Sequence, residues 1–127
     1  MTETKTLKQR WQLFVRQDAK PILITSVTRR NFDDQGKLIA DQLVPYAEAT
    51  RAVAAEMHVP LVDLYARSYE QISQLGPQGS AFFNATGKTP DKPDTTHLSP
   101  KGAAETAKLV ADEIRKASPE FAQLLRP

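Results

Sequence analysis

Leu7, Trp11, Phe14 and Val15 fall at i, i+4, i+7 and i+8, the spacing of one apolar face on an amphipathic helix. Thr2 and Thr4 stand near its start, without a full capping box. The stretch Asp18-Ala19-Lys20-Pro21 ends it, because a residue before proline is pushed out of the helical region. PILITSV (residues 21–27) comes next. It is short, apolar at first and β-branched, the pattern of a parallel strand buried on both faces. TRRNFDDQGKL (28–38) predicts a polar loop with a turn at residues 34–36. Tyr46, Thr50, Val53, Ala54 and Met57 mark a second helix, opened by Pro45 and closed at His58. VPLVDL (59–64) predicts a second buried strand, and strand, helix, strand at this spacing is a right-handed βαβ unit. Residues 65–75 predict a third helix stopped at Gly76-Pro77. Residues 76–93 predict a long loop of the kind that is commonly functional or mobile. Ser99 at an N-cap and Pro100 at the first position open a last helix. Its buried stripe is Ala103, Ala107, Val110 and Ile114, and SPEFAQLLRP adds a final turn or two.

This α/β inventory holds four or five helices but only two strands. Two parallel strands leave two open edges, and these strands are too apolar to face water, so something is expected to pair with them. The 127 residues read as one domain, with no internal repeat. Hydrophobic residues at 40% and charged residues at 25% suit a globular chain. The net charge of +2 is spread between both signs, which gives no nucleic-acid footprint. With no cysteine, disulfides and thiolate metal sites are excluded, and two distant histidines make no metal site, so no metal is expected. No apolar run is long enough to cross a bilayer, and MTETKTLKQRWQ lacks a signal-peptide core, so no membrane partner is expected. The strand deficit suggests that Met1 is not the natural start, which leaves the compartment, cytoplasmic or secreted, unassigned.

The stretch DTTHLSPKGA (94–103) puts Asp94 and His97 three apart, immediately before the terminal helix. The bland reading is a turn-capping acid and an idle loop histidine, since short motifs match by chance. The position argues for more: in open parallel sheets, sites form outside the carboxyl ends of the strands. Three blocks, in order, resemble the C-terminal half of an SGNH (GDSL-type) hydrolase, with the greatest likeness to its rhamnogalacturonan acetylesterase branch. They are PILITSVTRRNFDDQGKL with its Arg29-Arg30-x-Phe32, YAEATRAVAAEMHVPLVDLYARS, and DTTHLSPKGAAETAKLVADEI with its Asp94-x-x-His97. The resemblance covers nearly the whole chain, from about residue 4 to 114.

That resemblance implies a partial three-layer α/β/α, flavodoxin-like fold. It would have two parallel strands and flanking helices, the sheet being completed by a missing N-terminal half or by oligomerisation. It also implies a serine that attacks an ester carbonyl, His97 as the general base and acid, and Asp94 orienting the imidazole. The family's Gly-Asp-Ser nucleophile block and Gly-x-Asn-Asp oxyanion block are absent. None of Gly36, Gly76, Gly79, Gly87 and Gly102 precedes Asp-Ser, and Asn31 and Asn84 lie in other blocks. The chain therefore carries the acid–base residues without the nucleophile.

Ser26 lies at the carboxyl end of the first strand but has no glycine turn to expose it. Ser99 reads as a cap, and Ser80 lies in the long loop. Asp63 either reaches a site or caps the helix after it. Arg29 and Arg30 either hold an acidic sugar of a pectic substrate, or one pairs with Asp33 or Asp34 while the other is solvated. His58 suits a helix C-terminus, and Asn84-Ala85-Thr86 is a chance-prone glycosylation sequon. Two readings follow. One is the C-terminal part of a carbohydrate O-acetyl esterase acting on rhamnogalacturonan or a small ester, inactive alone. The other is a non-catalytic, truncated protein that forms an oligomer or binds carbohydrate. A nucleotide binder is disfavoured, because no glycine-rich phosphate loop is present.

Overall fold

The computed structural model describes residues 2–16 and 18–126, without the side chains of residues 2–5 and 15. Helix α1 (Thr2–Arg16) packs on α2 (Val44–Met57), joined by a Lys8–Glu56 ion pair of 2.6 Å. Trp11 is half-buried, but Phe14, expected on the same face, is 50% exposed. Val15, the fourth residue of that expected face, lies outside the described side chains. The helix ends where the sequence predicts. Asp18 takes a left-handed φ of 57°, and the Ala19 N–H bonds back to the Phe14 carbonyl.

The two predicted strands form a parallel pair, β1 (Leu23–Ile24) and β2 (Leu61–Val62), in register Leu23↔Leu61 and Ile24↔Val62. Both are shorter than the sequence suggests. The Thr25 N–H still reaches the Val62 carbonyl at 3.1 Å, but the Thr28 N–H goes to Ser68 Oγ, not to a sheet neighbour. After Val62 the chain enters a helix at once. Burial on both faces does not hold either. Val62 is buried, but Ile24 is 45% exposed.

Helix α2 opens at Pro45 and buries Ala47, Ala49, Val53 and Ala54. The expected stripe is therefore rotated, and Tyr46 faces solvent; small alanines let the helix lie close to its neighbours where a tyrosine would hold it off. His58 closes it in a left-handed conformation, φ 53°. Helix α3 (Leu64–Gly79) is capped by Asp63, which accepts the Ala66 N–H. Its regular turns stop at Gly76-Pro77, as the sequence predicts. Gly76 leaves the helix at φ 73°, ψ 179°, and Pro77 starts one further turn, the position where proline's missing N–H is harmless.

The largest departure from the sequence reading is at residues 76–93. In place of a long loop there is a 3₁₀ turn (Ala81–Phe83) followed by an antiparallel hairpin of β3 (Asn84–Thr89) and β4 (Lys92–Leu98). Gly87 is required where the strands cross closely, since a Cβ there would fall 1.7 Å from the Lys92 carbonyl oxygen. Helix α4 (Pro100–Ala117) follows, with the Ser99 hydroxyl accepting the Gly102 N–H and donating to the Phe82 carbonyl. Its buried positions are Gly102 and Thr106; Ala103 and Ala107 are exposed, and Val110 and Ile114 half-buried. The face is set by Gly102, whose Cα lies against the Phe83 backbone with no room for a side chain. Helix α5 (Pro119–Ala122) ends the described chain. Leu38, Ile72 and Phe83 form a buried cluster, with Phe32, Tyr69 and Leu98 packed on it. Because Phe83 precedes β3 and Leu98 ends β4, this cluster anchors the base of the hairpin. Among the described residues, no helix is long and apolar enough to cross a membrane.

Candidate active site

Asp94 and His97 are not in a loop after the last strand but within β4, at a break in its register. One step along β3, from Asn84 to Ala85, faces four along β4, from Leu98 to Asp94. Residues 95–97 are the excess, and a bulge of this kind swings side chains out of the ladder. Asp94 closes the bulge on itself. Its Oδ1 accepts the backbone N–H of Thr96 and of His97, each at 2.9 Å. Its Oδ2 lies 2.8 Å from His97 Nδ1. These bonds hold the Asp94 carboxyl down at about 2, the backbone N–H groups contributing most. The imidazole is 79% exposed. With Nδ1 turned to the carboxylate, Nε2 is the ring nitrogen left for an incoming group.

The segment after β1 supports the bulge from behind. The Arg30 N–H donates to the Thr95 carbonyl, and Thr95 Oγ1 donates to Asn31 Oδ1. The Arg30 side chain, one of two arginines expected at a substrate, is only 2% exposed. Its guanidinium reaches Asn84 Oδ1 at 2.6 Å, the His97 carbonyl at 2.6 Å and the Thr28 carbonyl at 3.3 Å. Burial lowers its pKa, with the charge of Asp94 working the other way. Arg30 thus neither pairs with Asp33 or Asp34 nor faces solvent; it braces the hairpin. Asn84 Oδ1 is correspondingly occupied as the acceptor of Arg30 Nε. Arg29 is half-buried, its N–H near Asp41 Oδ2 at 3.3 Å and its Nε buried without a partner. Asp33 is spent on its own turn, accepting the Gln35 and Lys37 N–H groups.

Asp63 takes the capping role. Burial acts to raise its carboxyl, but bonds from Arg51, the Ala66 N–H and Thr25 outweigh that and hold it low. The Arg51 contact is two-pronged, 2.7 and 3.1 Å. Thr25 Oγ1 also accepts the Tyr65 N–H at 2.7 Å. The sequence carries no signal for Thr25 or Ser68, because a buried hydroxyl that serves a backbone 40 residues away leaves no local pattern. Ser26 is exposed. Ser80 is buried and bonded to the Gly76 carbonyl, and Ser99 is the cap described above. His58 is exposed and serves through its backbone. Among the described residues no group of three or more histidine, aspartate or glutamate side chains is placed to hold a metal ion. A cleft of about 300 Å³ between Trp11, Pro21, Ile22, Pro60 and Phe121 lies at the amino-terminal ends of β1 and β2, apart from Asp94 and His97.

No protein-family model matches the chain, and no solved structure matches it significantly. Two curated proteins of Bacillus subtilis (strain 168) do. The chain is 39% identical over 105 residues to rhamnogalacturonan acetylesterase RhgT, a match covering 77% of this chain and 45% of that protein. To the probable rhamnogalacturonan acetylesterase YesY it is 35% identical over 100 residues, covering 77% of this chain and 43% of that protein. The chain thus spans less than half the length of the curated relatives it matches. Over about three quarters of its own length, this chain is a homologue of rhamnogalacturonan acetylesterases.

Proposed function

We propose that the chain carries the acid–base part of a carbohydrate O-acetyl esterase of the SGNH type, acting on a pectic polysaccharide such as rhamnogalacturonan. The observation that carries this reading is the exposed His97 imidazole held by Asp94 at 2.8 Å. A serine hydroxyl from polypeptide outside this chain attacks the acetyl carbonyl, while His97 Nε2 takes its proton. The tetrahedral intermediate collapses, and the same nitrogen returns the proton to the departing sugar hydroxyl. Water then repeats the cycle on the acetyl-serine and releases acetate. Asp94 keeps Nδ1 protonated and stabilises the imidazolium that forms in each half. These steps use no metal and no cofactor.

The finer architecture belongs to the same proposal. The two-stranded parallel sheet is one part of a three-layer α/β/α fold that a further stretch of polypeptide, the N-terminal half, completes. Exposed Ile24 on β1 and exposed Leu13 and Phe14 on α1 supply apolar surface for it. Arg29, half-buried where Arg30 is fully buried, is the cation we assign to an acidic sugar of the substrate. The same exposed surface favours a second reading, a non-catalytic chain that pairs with its own copy.

Hydrolysis of p-nitrophenyl acetate and fluorophosphonate labelling separate the two readings. The chain alone is expected to show neither above a His97→Ala control. Mixed with the part of a homologous enzyme that carries Gly-Asp-Ser, it should gain hydrolysis that His97→Ala abolishes. A serine of this chain that takes the label, and loses it in His97→Ala, refutes the placement of the nucleophile elsewhere. An unproductive mixture that binds tightly leaves the non-catalytic reading.

A further inference from the structure

A bulge removes residues from the strand ladder and leaves their backbone groups to find other partners. Here every excess residue is supported either by Asp94 or by the segment 30–31. The Thr96 and His97 N–H groups go to Asp94. The Thr95 carbonyl and hydroxyl go to Arg30 and Asn31. The His97 carbonyl receives Arg30 Nη2 at 2.6 Å. His97 is therefore fixed on both sides of its own backbone, by an anion at its N–H and a cation at its carbonyl, before the ring meets Asp94.

We propose that Arg30 is a positioning residue for His97, its buried guanidinium closing on the His97 carbonyl, the Thr28 carbonyl and the Asn84 carboxamide to hold the bulge that turns the imidazole onto Asp94. This rests on the reading of His97 as the acid–base group. Among the described residues no carboxylate lies within ion-pair distance of Arg30; the acceptors that its side chain touches are all neutral. A buried cation without a contact carboxylate is unfavourable, and an apolar side chain would fill the space at lower cost. What the cation supplies is geometry. Guanidinium is a rigid, planar fork whose donors point in fixed directions, and lysine has no such fork. Through Asn84 and His97 it ties one strand of the hairpin to the other across the register break. The same side chain is out of a sugar's reach, so its role runs through His97 and not through the substrate.

The test reads the ring and not the reaction. ¹⁵N NMR of the chain reports which nitrogen of the neutral His97 ring carries the proton, and amide exchange reports the His97 N–H. In the unaltered chain the proton is expected on Nδ1, against Asp94. In Arg30→Lys, which keeps the charge and loses the fork, the Nδ1–H share should fall and the His97 amide should exchange at least about ten-fold faster. The amides of α2 should be unchanged. Val53→Ala, a core truncation distant in sequence from the hairpin, should lower the melting temperature and leave the tautomer alone, which separates positioning from general stability. If Arg30→Lys does not fold, Asn84→Ala takes its place: it removes the acceptor of Arg30 Nε and should move both readouts the same way, while Asn84→Asp should restore them. A folded Arg30→Lys chain, or failing that Asn84→Ala, with the tautomer and exchange of the unaltered chain overturns the proposal. Absence of esterase activity in the assembled domain would count against the acid–base reading and would leave these spectra as they are.

Discussion

Asp94 divides its oxygens, one for the backbone and one for the ring, and its ionisation follows from that division. Because its folded-state pKa, about 2, lies below the ordinary value of 3.8, the unfolded chain binds more protons between those limits. Its contribution to stability is fully present above about pH 4 and is lost as the pH falls through about 2. The Thr96 and His97 amides should therefore stay protected from exchange below about pH 4 and lose protection as the pH falls through about 2; protection already lost at about pH 4 would contradict the bonding described. Asp94→Asn should leave the bulge near its present shape but offer the ring a donor as readily as an acceptor. In the assembled esterase this should lower kcat by about 10³–10⁴-fold with little change in KM, as measured on an acetylated substrate. The i, i+3 spacing of an acid and a histidine before a Ser-Pro helix start is a local pattern, and it was legible. Arg30 was not, because nothing in Arg29-Arg30 tells a guanidinium that faces water from one buried against Asn84, 54 residues away.

The helices could be read from the chain, because capping residues and prolines act within one turn. Ser99-Pro100 and Asp63 do in the fold what their types suggest. Ser99→Ala should cost about 1 kcal/mol, measured by chemical denaturation. Which face each helix buries was less legible. An alanine-rich helix has a weak apolar stripe, and in α4 the choice falls to Gly102 against Phe83, a tertiary contact. Gly102→Ala places a methyl 2.7 Å from Phe83 Cα and should destabilise by about 1–3 kcal/mol, with the loss felt at the hairpin base, since the backbone itself must give way. The hairpin left almost no trace in the sequence. NATGKT and KPDTTHL lack the apolar alternation that marks a strand, because both strands are mostly exposed or half-buried and two register breaks scramble the period.

At the scale of the molecule, the βαβ unit was legible and the parallel pairing of its strands follows it. The strand lengths were not, since runs such as PILITSV carry the same apolar signal whether or not a neighbour is there to pair. The chain has a tight cluster around Phe83 and Ile72 but leaves Leu13, Phe14 and Ile24 in water. We expect the isolated chain to self-associate, or to melt broadly, when followed by light scattering and calorimetry; a clean monomer with one sharp cooperative transition would argue against a missing partner. His58 ends α2 in a left-handed conformation that glycine adopts without strain. The chain has two histidines in all, so His58→Gly would remove the other imidazole while relieving the backbone. In that variant every histidine resonance, and every mole of diethyl pyrocarbonate consumed by an imidazole, reports on position 97 alone.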